Sequence, residues 1–124
     1  MSSRDNTTTI DPSLPVVTLI NVYEVAPERQ AELVRLLEEA TDGVMRHLPG
    51  FVSANIHRSL DGKHVANYAQ WATREDFERM LANPQAEVHR RQFAAIAKGA
   101  SPVLYQLSST HRAPSDRRDR GTAS

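Results

Sequence analysis

Along residues 16–109 the apolar positions recur first at every second residue and then at every third or fourth, and the changes of period divide the chain into elements. Val16–Ala26 alternates as a strand. Val17, Leu19, Asn21, Tyr23 and Val25 fall on one face, and Val16, Thr18, Ile20, Val22 and Glu24 on the other. Both faces are largely apolar, the mark of a strand covered on two sides. Pro27 opens a helix at the position where its missing N–H does no harm. Leu33, Leu36, Leu37, Ala40, Val44 and Leu48 form its apolar stripe, and Glu32, Arg35, Glu38, Glu39 and Asp42 its solvated face; the helix is predicted to end before Pro49-Gly50. Phe51–Ser59 and Lys63–Trp71 are two further strands around the turn Leu60-Asp61-Gly62. Thr73 starts a second helix, with Asp76 three residues on as in a shortened capping box, and Phe77, Met80 and Leu81 inward. Asn83-Pro84 interrupts, and Gln85–Lys98 continues with His89, Phe93, Ile96 and Ala97 inward and Gly99 as the stop. Val103–Ser109 is the last strand, with Val103, Tyr105 and Leu107 on one face.

The order is βαββαβ, the ferredoxin-like α+β arrangement, in which helices cover one face of a four-stranded antiparallel sheet. Ile20, Val22, Ile56 and Tyr68 leave apolar groups over for the uncovered face, and a second copy of the chain is the simplest cover. A homodimer packed sheet to sheet is therefore expected. Residues 1–14 and 111–124 are polar and read as a loose N-terminal arm and C-terminal tail around a single domain at 15–110.

The hairpin admits two registers. With Asp61-Gly62 as a two-residue turn, Ile56 lies opposite Asn67. With a three-residue loop and a left-handed Gly62, Phe51, Ser53, Asn55 and His57 share a face with Val65, Asn67, Ala69 and Trp71. The second gathers the polar groups on one side and leaves a more uniform apolar surface on the other, so it is the preferred reading.

Composition narrows the function. Fifteen basic residues balance fifteen acidic ones among 124, without the basic excess of a nucleic-acid binder. There is no cysteine, so disulfides, thiolate metal sites and cysteine nucleophiles are excluded. No apolar run approaches a membrane span and residues 1–13 lack a signal-peptide core, so a cytoplasmic protein is expected. The histidines, at 47, 57, 64, 89 and 111, include no i,i+4 helical pair, and no metal site is expected.

Candidate chemistry is densest in Lys63–Trp71. Val65, Asn67, Ala69 and Trp71 share a face that mixes an amide, an indole N–H and small apolar groups. A packed core excludes an amide without partners, whereas a pocket needs apolar walls with a few fixed polar groups. Asn67 and Trp71 are thus candidates for a site, beside the plainer reading that both are structural members of a sheet.

Pro49-Gly50-Phe51, His57, Asp61-Gly62 and Asn67-Tyr68-Ala69-Gln70-Trp71, in this order and spacing, resemble the antibiotic biosynthesis monooxygenase family, in particular the small anthrone oxygenases of aromatic polyketide pathways. The resemblance covers roughly Val16–Ser109. It implies a dimeric α/β barrel with a pocket between sheet and helices. It also implies oxidation of a phenolic, anthrone-like polycycle to a quinone by O₂, without metal, flavin or haem. By the same resemblance Asn67 and Trp71 hold the reacting oxygens and His57 lines the pocket. An arginine of the second helical region falls at Arg90, with Arg91 as the alternative. Asn21, Tyr23, Asn55, Phe77 and His89 are then the expected substrate-binding residues. A tyrosine expected shortly after the tryptophan is here Phe77, which removes a phenolic proton carrier.

Such chemistry asks little of the protein beyond electrostatics. An electron-rich carbanion or phenolate can pass an electron to O₂ and recombine as a peroxide, while the site favours the anion and excludes water. The Asn67 amide and Trp71 indole N–H suit the negative charge, Arg90 adds a permanent cation, and His57 could take the first proton. Two alternatives stand beside this. Haem-degrading relatives of the same fold would use Asn21, Trp71 and His89, and a non-catalytic dimeric small-molecule binder would have no need of the missing tyrosine.

Overall fold

The computed structural model describes residues 6–114. The rest of the expected arm and tail, residues 1–5 and 115–124, lies outside the described residues. Four antiparallel strands, β1 (Val17–Glu24), β2 (Phe51–Arg58), β3 (His64–Trp71) and β4 (Gly99–Tyr105), form one sheet in the order β2-β3-β1-β4. Helices α1 (Gln30–Gly43), α2 (Arg74–Ala82) and α3 (Pro84–Ile96) complete the ferredoxin-like fold.

Local chemistry sets most boundaries. Pro27–Arg29 is a short 3₁₀ turn leading into α1, and α1 stops at Gly43, earlier than the apolar stripe predicts. A further 3₁₀ turn at Met45–His47 carries the chain to Gly50, whose positive φ of 84° suits only glycine. A Cβ there would also collide with the Asp76 carboxylate. Thr73 caps α2 by accepting the Asp76 N–H (3.0 Å), as its spacing predicts. Asn83 caps α3 by accepting the Gln85 and Ala86 N–H groups, with Pro84 in the first turn. β4 begins at Gly99 rather than Val103. Its Pro102 is tolerated because β4 is an edge strand paired only with β1.

The register differs from the preferred reading. Ile56 pairs with Asn67 and Arg58 with Val65, and Ser59 N–H donates to His64 O (3.0 Å). Leu60, Asp61, Gly62 and Lys63 make the loop. Asp61 accepts from the Ser59 hydroxyl (2.6 Å) and the Lys63 N–H (2.9 Å), and those two bonds hold its carboxyl below the usual carboxylate range. A β-bulge between Phe51 and Ser53 then changes the parity of β2, so that Phe51 pairs with Trp71 while Ser53 pairs with Gln70. Ala54 and Ile56 therefore face the helices with Asn67 and Trp71, and Ser53, Asn55 and His57 face the other way.

Two apolar clusters fill the space between sheet and helices. One joins Tyr23, Val25 and Val65 to Leu33, Val34, Leu37 and Ala40 of α1 and Phe93 of α3. The other joins Leu19, Ala69 and Trp71 to Phe77 and Met80 of α2 and Ala86 of α3. Each large side chain buried there contributes about 1.5–3 kcal/mol. The opposite face of the sheet exposes Val22, Val103 and Tyr105. Thr8 and Thr9, within the stretch expected as a loose arm, bond to that outer face: the Thr8 hydroxyl donates to Asn55 Oδ1 (2.9 Å) and the Gln70 amide donates to Thr9 O (2.9 Å). No helix of the described residues is long and apolar enough to cross a membrane.

Candidate active site

Between the two clusters the packing is incomplete and leaves a cavity of about 590 Å³, the size range of small-molecule sites. Its floor is the inner face of the sheet: Leu19, Asn21 and Tyr23 from β1, Asn67, Ala69 and Trp71 from β3, Phe51 and Ala54 from β2. The helices close it with Leu37 and Ala40, Phe77 and Met80, and Arg90 and Phe93. Trp71 is almost wholly buried, and the rings of Phe51 and Phe77 meet it edge-on at centroid distances of 5.5 and 6.3 Å.

Polar groups in this wall are few and poorly satisfied. Asn21 and Asn67 sit directly opposite one another on β1 and β3. The Oδ1 of each is buried without a hydrogen-bond partner, as is Nε of Arg90. Leaving a buried polar group unpaired costs about 1–3 kcal/mol. The three atoms border one apolar cavity, where the hydroxyl donors and oxyanion of a ligand could pair them. Arg90 reaches the cavity from α3, where its Nη2 donates to Leu81 O (2.8 Å) and so fixes the guanidinium over the α2–α3 junction. Tyr23 meets the Phe93 ring edge-on at 6.2 Å. Burial pushes its hydroxyl up to about 12, and the Arg90 charge opposes that rise.

The sequence profile of the antibiotic biosynthesis monooxygenases matches residues 16–92. A relative from Streptomyces glaucescens, tetracenomycin-F1 monooxygenase, is 41% identical over 107 residues, 86% of this chain and 95% of the relative. The chain belongs to the antibiotic biosynthesis monooxygenase family. Among solved structures it is similar to SnoaB, a cofactor-independent oxygenase from Streptomyces nogalater, with a TM-score of 0.68 and 27% identity over 77% of this chain and 96% of that one. It is also similar to the ActVA-Orf6 monooxygenase of Streptomyces coelicolor, solved with nanaomycin D, with a TM-score of 0.67 and 29% identity over 84% of this chain and 96% of that one.

Within this monooxygenase fold the expected site residues separate into two groups. Asn67, Trp71, Arg90, Asn21, Tyr23 and Phe77 all line the one cavity. Of the two arginines considered, Arg90 faces it, whereas Arg91 is largely exposed and paired with Glu87 at 3.1 Å. His57 and Asn55 do not reach it. Both lie on the outer face of the sheet, because the four-residue loop reverses the expected parity of β2 from Ser53 to Arg58. His57 is exposed there with Nδ1 3.2 Å from Asn55 O, and Asn55 donates to Tyr68 O (3.1 Å), so neither can serve the roles expected of them in this cavity. Ile56, expected on the outer face, packs against the inner core for the same reason. His89 is half-buried but outside the cavity wall, since α3 turns Arg90, Phe93 and Ala94 toward it instead. The haem alternative needs Asn21, Trp71 and His89 to share one pocket, and that arrangement is not present. Among the described residues no three His, Asp or Glu side chains converge as metal ligands.

Phe51, Met80 and Phe93 were not foreseen as site residues, yet they wall the cavity. An apolar side chain reads the same in sequence whether it meets a neighbour or a void. The one available signal was Phe51, next to the Pro49-Gly50 turn and at the end of the strand that faces Trp71.

Proposed function

We propose that this monooxygenase is cofactor-independent and oxidises a phenolic, anthrone-like polycycle to a quinone with O₂, in aromatic polyketide or related secondary metabolism in the cytoplasm. The observation that carries the reading is the pair of unpartnered amide oxygens of Asn21 and Asn67 beside the free Nε of Arg90 in an aromatic-walled cavity. Phenolic hydroxyls of a flat polycycle would donate to the amide oxygens, and its phenolate or peroxide oxygen would accept from Arg90. The names of the relatives support the same chemistry.

The substrate supplies the electrons. Loss of a proton from the ring methylene gives a delocalised carbanion, which passes an electron to O₂; recombination forms a C–O bond and leaves a peroxide anion. Arg90, the Trp71 indole N–H and the Asn67 amide, whose N–H₂ can turn toward an anion, stabilise the charge as it moves onto oxygen. The aromatic wall excludes water and holds the ring by apolar contact. We further propose a homodimer in which the exposed outer-face residues Val22, Val103 and Tyr105 pack against a second copy.

The test is oxygen uptake with dithranol, a dihydroxyanthrone, after exhaustive chelation and correction for autoxidation. Catalysed formation of the quinone by a colourless protein is expected. Tight binding of dithranol with no catalysed uptake would instead favour the non-catalytic binder.

A further inference from the structure

Phe77 of α2 offers the cavity no exchangeable proton, whereas another wall of the cavity carries the phenol of Tyr23. We propose that the hydroxyl of Tyr23, entering from β1, is the proton donor to the peroxide and thus a catalytic residue of this chain. The inference rests on the function proposed above and adds to it the group that moves the proton.

Geometry carries it. Tyr23 is buried, lines the cavity and lies on the same strand face as Asn21, two residues away. Its ring is held by Phe93 and by the α1 cluster, so its position is fixed by packing. A buried tyrosine hydroxyl usually takes a hydrogen-bond partner, and the Tyr23 side chain borders the cavity, where a ligand can supply one. Arg90 lines the same cavity and acts electrostatically on the phenol. His57, the other proton carrier considered, is on the wrong face of the sheet.

The chemistry is suited to a weak acid. Burial keeps Tyr23 protonated at neutral pH, so it starts the cycle as a donor. An alkyl hydroperoxide is an acid of comparable weakness, which makes proton transfer to the peroxide anion close to balanced. Transfer to the distal oxygen gives the hydroperoxide and a tyrosinate, which the Arg90 cation stabilises. The tyrosinate then removes the second proton from the oxygenated carbon. That electron pair forms the C=O bond as the O–O bond breaks, and hydroxide leaves. The hydroxide combines with the first proton lost from the methylene and departs as water. One oxygen atom of O₂ ends in the carbonyl and the other in water, the carbon is oxidised by four electrons, and Tyr23 is restored.

Tyr23→Phe keeps the ring and its contact with Phe93 and removes only the hydroxyl. With dithranol as the probe, kcat should fall on the order of a hundredfold, the scale of general acid–base catalysis, while KM stays close to the parental value. The solvent deuterium isotope effect on kcat should change, and adding Phe77→Tyr to that variant should restore part of the rate by supplying a hydroxyl from the opposite wall. A loss from altered packing alone would not respond to that rescue. Parental kcat and isotope effect in folded Tyr23→Phe would overturn the inference. If the parental protein oxidises no dithranol, the proposed function falls and this inference with it; if it does and Tyr23→Phe is indifferent, only this inference falls.

Discussion

The two faces of the sheet both carry amides and hydroxyls but treat them differently. On the outer face the amides are paired: Ser53 donates to Gln70 Oε1 (2.9 Å), Gln70 donates to Thr9 O, Thr8 donates to Asn55, and Asn55 donates to Tyr68 O. On the inner face Asn21 and Asn67 lie side by side with their oxygens unpaired, walled by aromatic rings. Polarity by itself therefore does not mark the site. A polar group buried without a partner does, because its desolvation has been met and its hydrogen bond has not. The outer network closes within the protein, and the inner pair faces the cavity.

That contrast can be broken most readily at Trp71. Trp71→Phe keeps an aromatic wall and removes the indole N–H, and should lower kcat by roughly ten- to a thousand-fold with little change in KM. Turnover of dithranol at the parental rate by the folded variant would make Trp71 structural. A smaller effect, about ten- to a hundredfold on kcat, is expected for Arg90→Gln, while Arg91→Gln should leave kcat unchanged because that side chain faces solvent. Equal losses in the two variants would mean that the guanidinium acts through general surface charge.

The smallest effect concerns stability. Tyr23 is raised in the folded state from the ordinary tyrosine value near 10 to about 12. Its contribution is therefore fully present below pH 10 and is lost as the pH rises from about 10 to about 12, where the unfolded chain ionises and the folded one does not. A shift of that size corresponds to roughly 2–3 kcal/mol. Urea titrations of the parent and of Tyr23→Phe across this window should show the extra alkaline loss in the parent alone; identical pH dependences would mean that Tyr23 is solvated.

Much of this was legible in the sequence. Strand alternation placed Val65, Asn67, Ala69 and Trp71 on one face, and the caps at Thr73 and Asn83 stand where spacing put them or at the break it marked. The partner strand was misread because segregating polar from apolar groups assumed an unbroken ladder. The four-residue loop pairs Ile56 with Asn67 and so turns Asn55 and His57 outward, and the bulge at Phe51/Ser53 then shifts parity by one and places Phe51 beside Trp71. The outer-face bonds from Thr8 to Asn55 and from Gln70 to Thr9 span 47 and 61 residues, beyond any local pattern. His89 was misplaced for a similar reason. A helix with both apolar and charged residues on adjacent columns admits more than one inward phase, and only packing against the sheet selects Arg90 and Phe93.

The difference between the faces comes down to two asparagines one strand apart. Steady-state oxidation of dithranol by Asn67→Ala and Asn55→Ala, assayed side by side with folding verified by circular dichroism, tests it most directly. Asn67→Ala should lose roughly ten- to a hundredfold in kcat, and Asn55→Ala should turn over at the parental rate even if it melts at a lower temperature. Parental turnover in Asn67→Ala, or a comparable loss in Asn55→Ala, would contradict the assignment of the inner cavity as the active site.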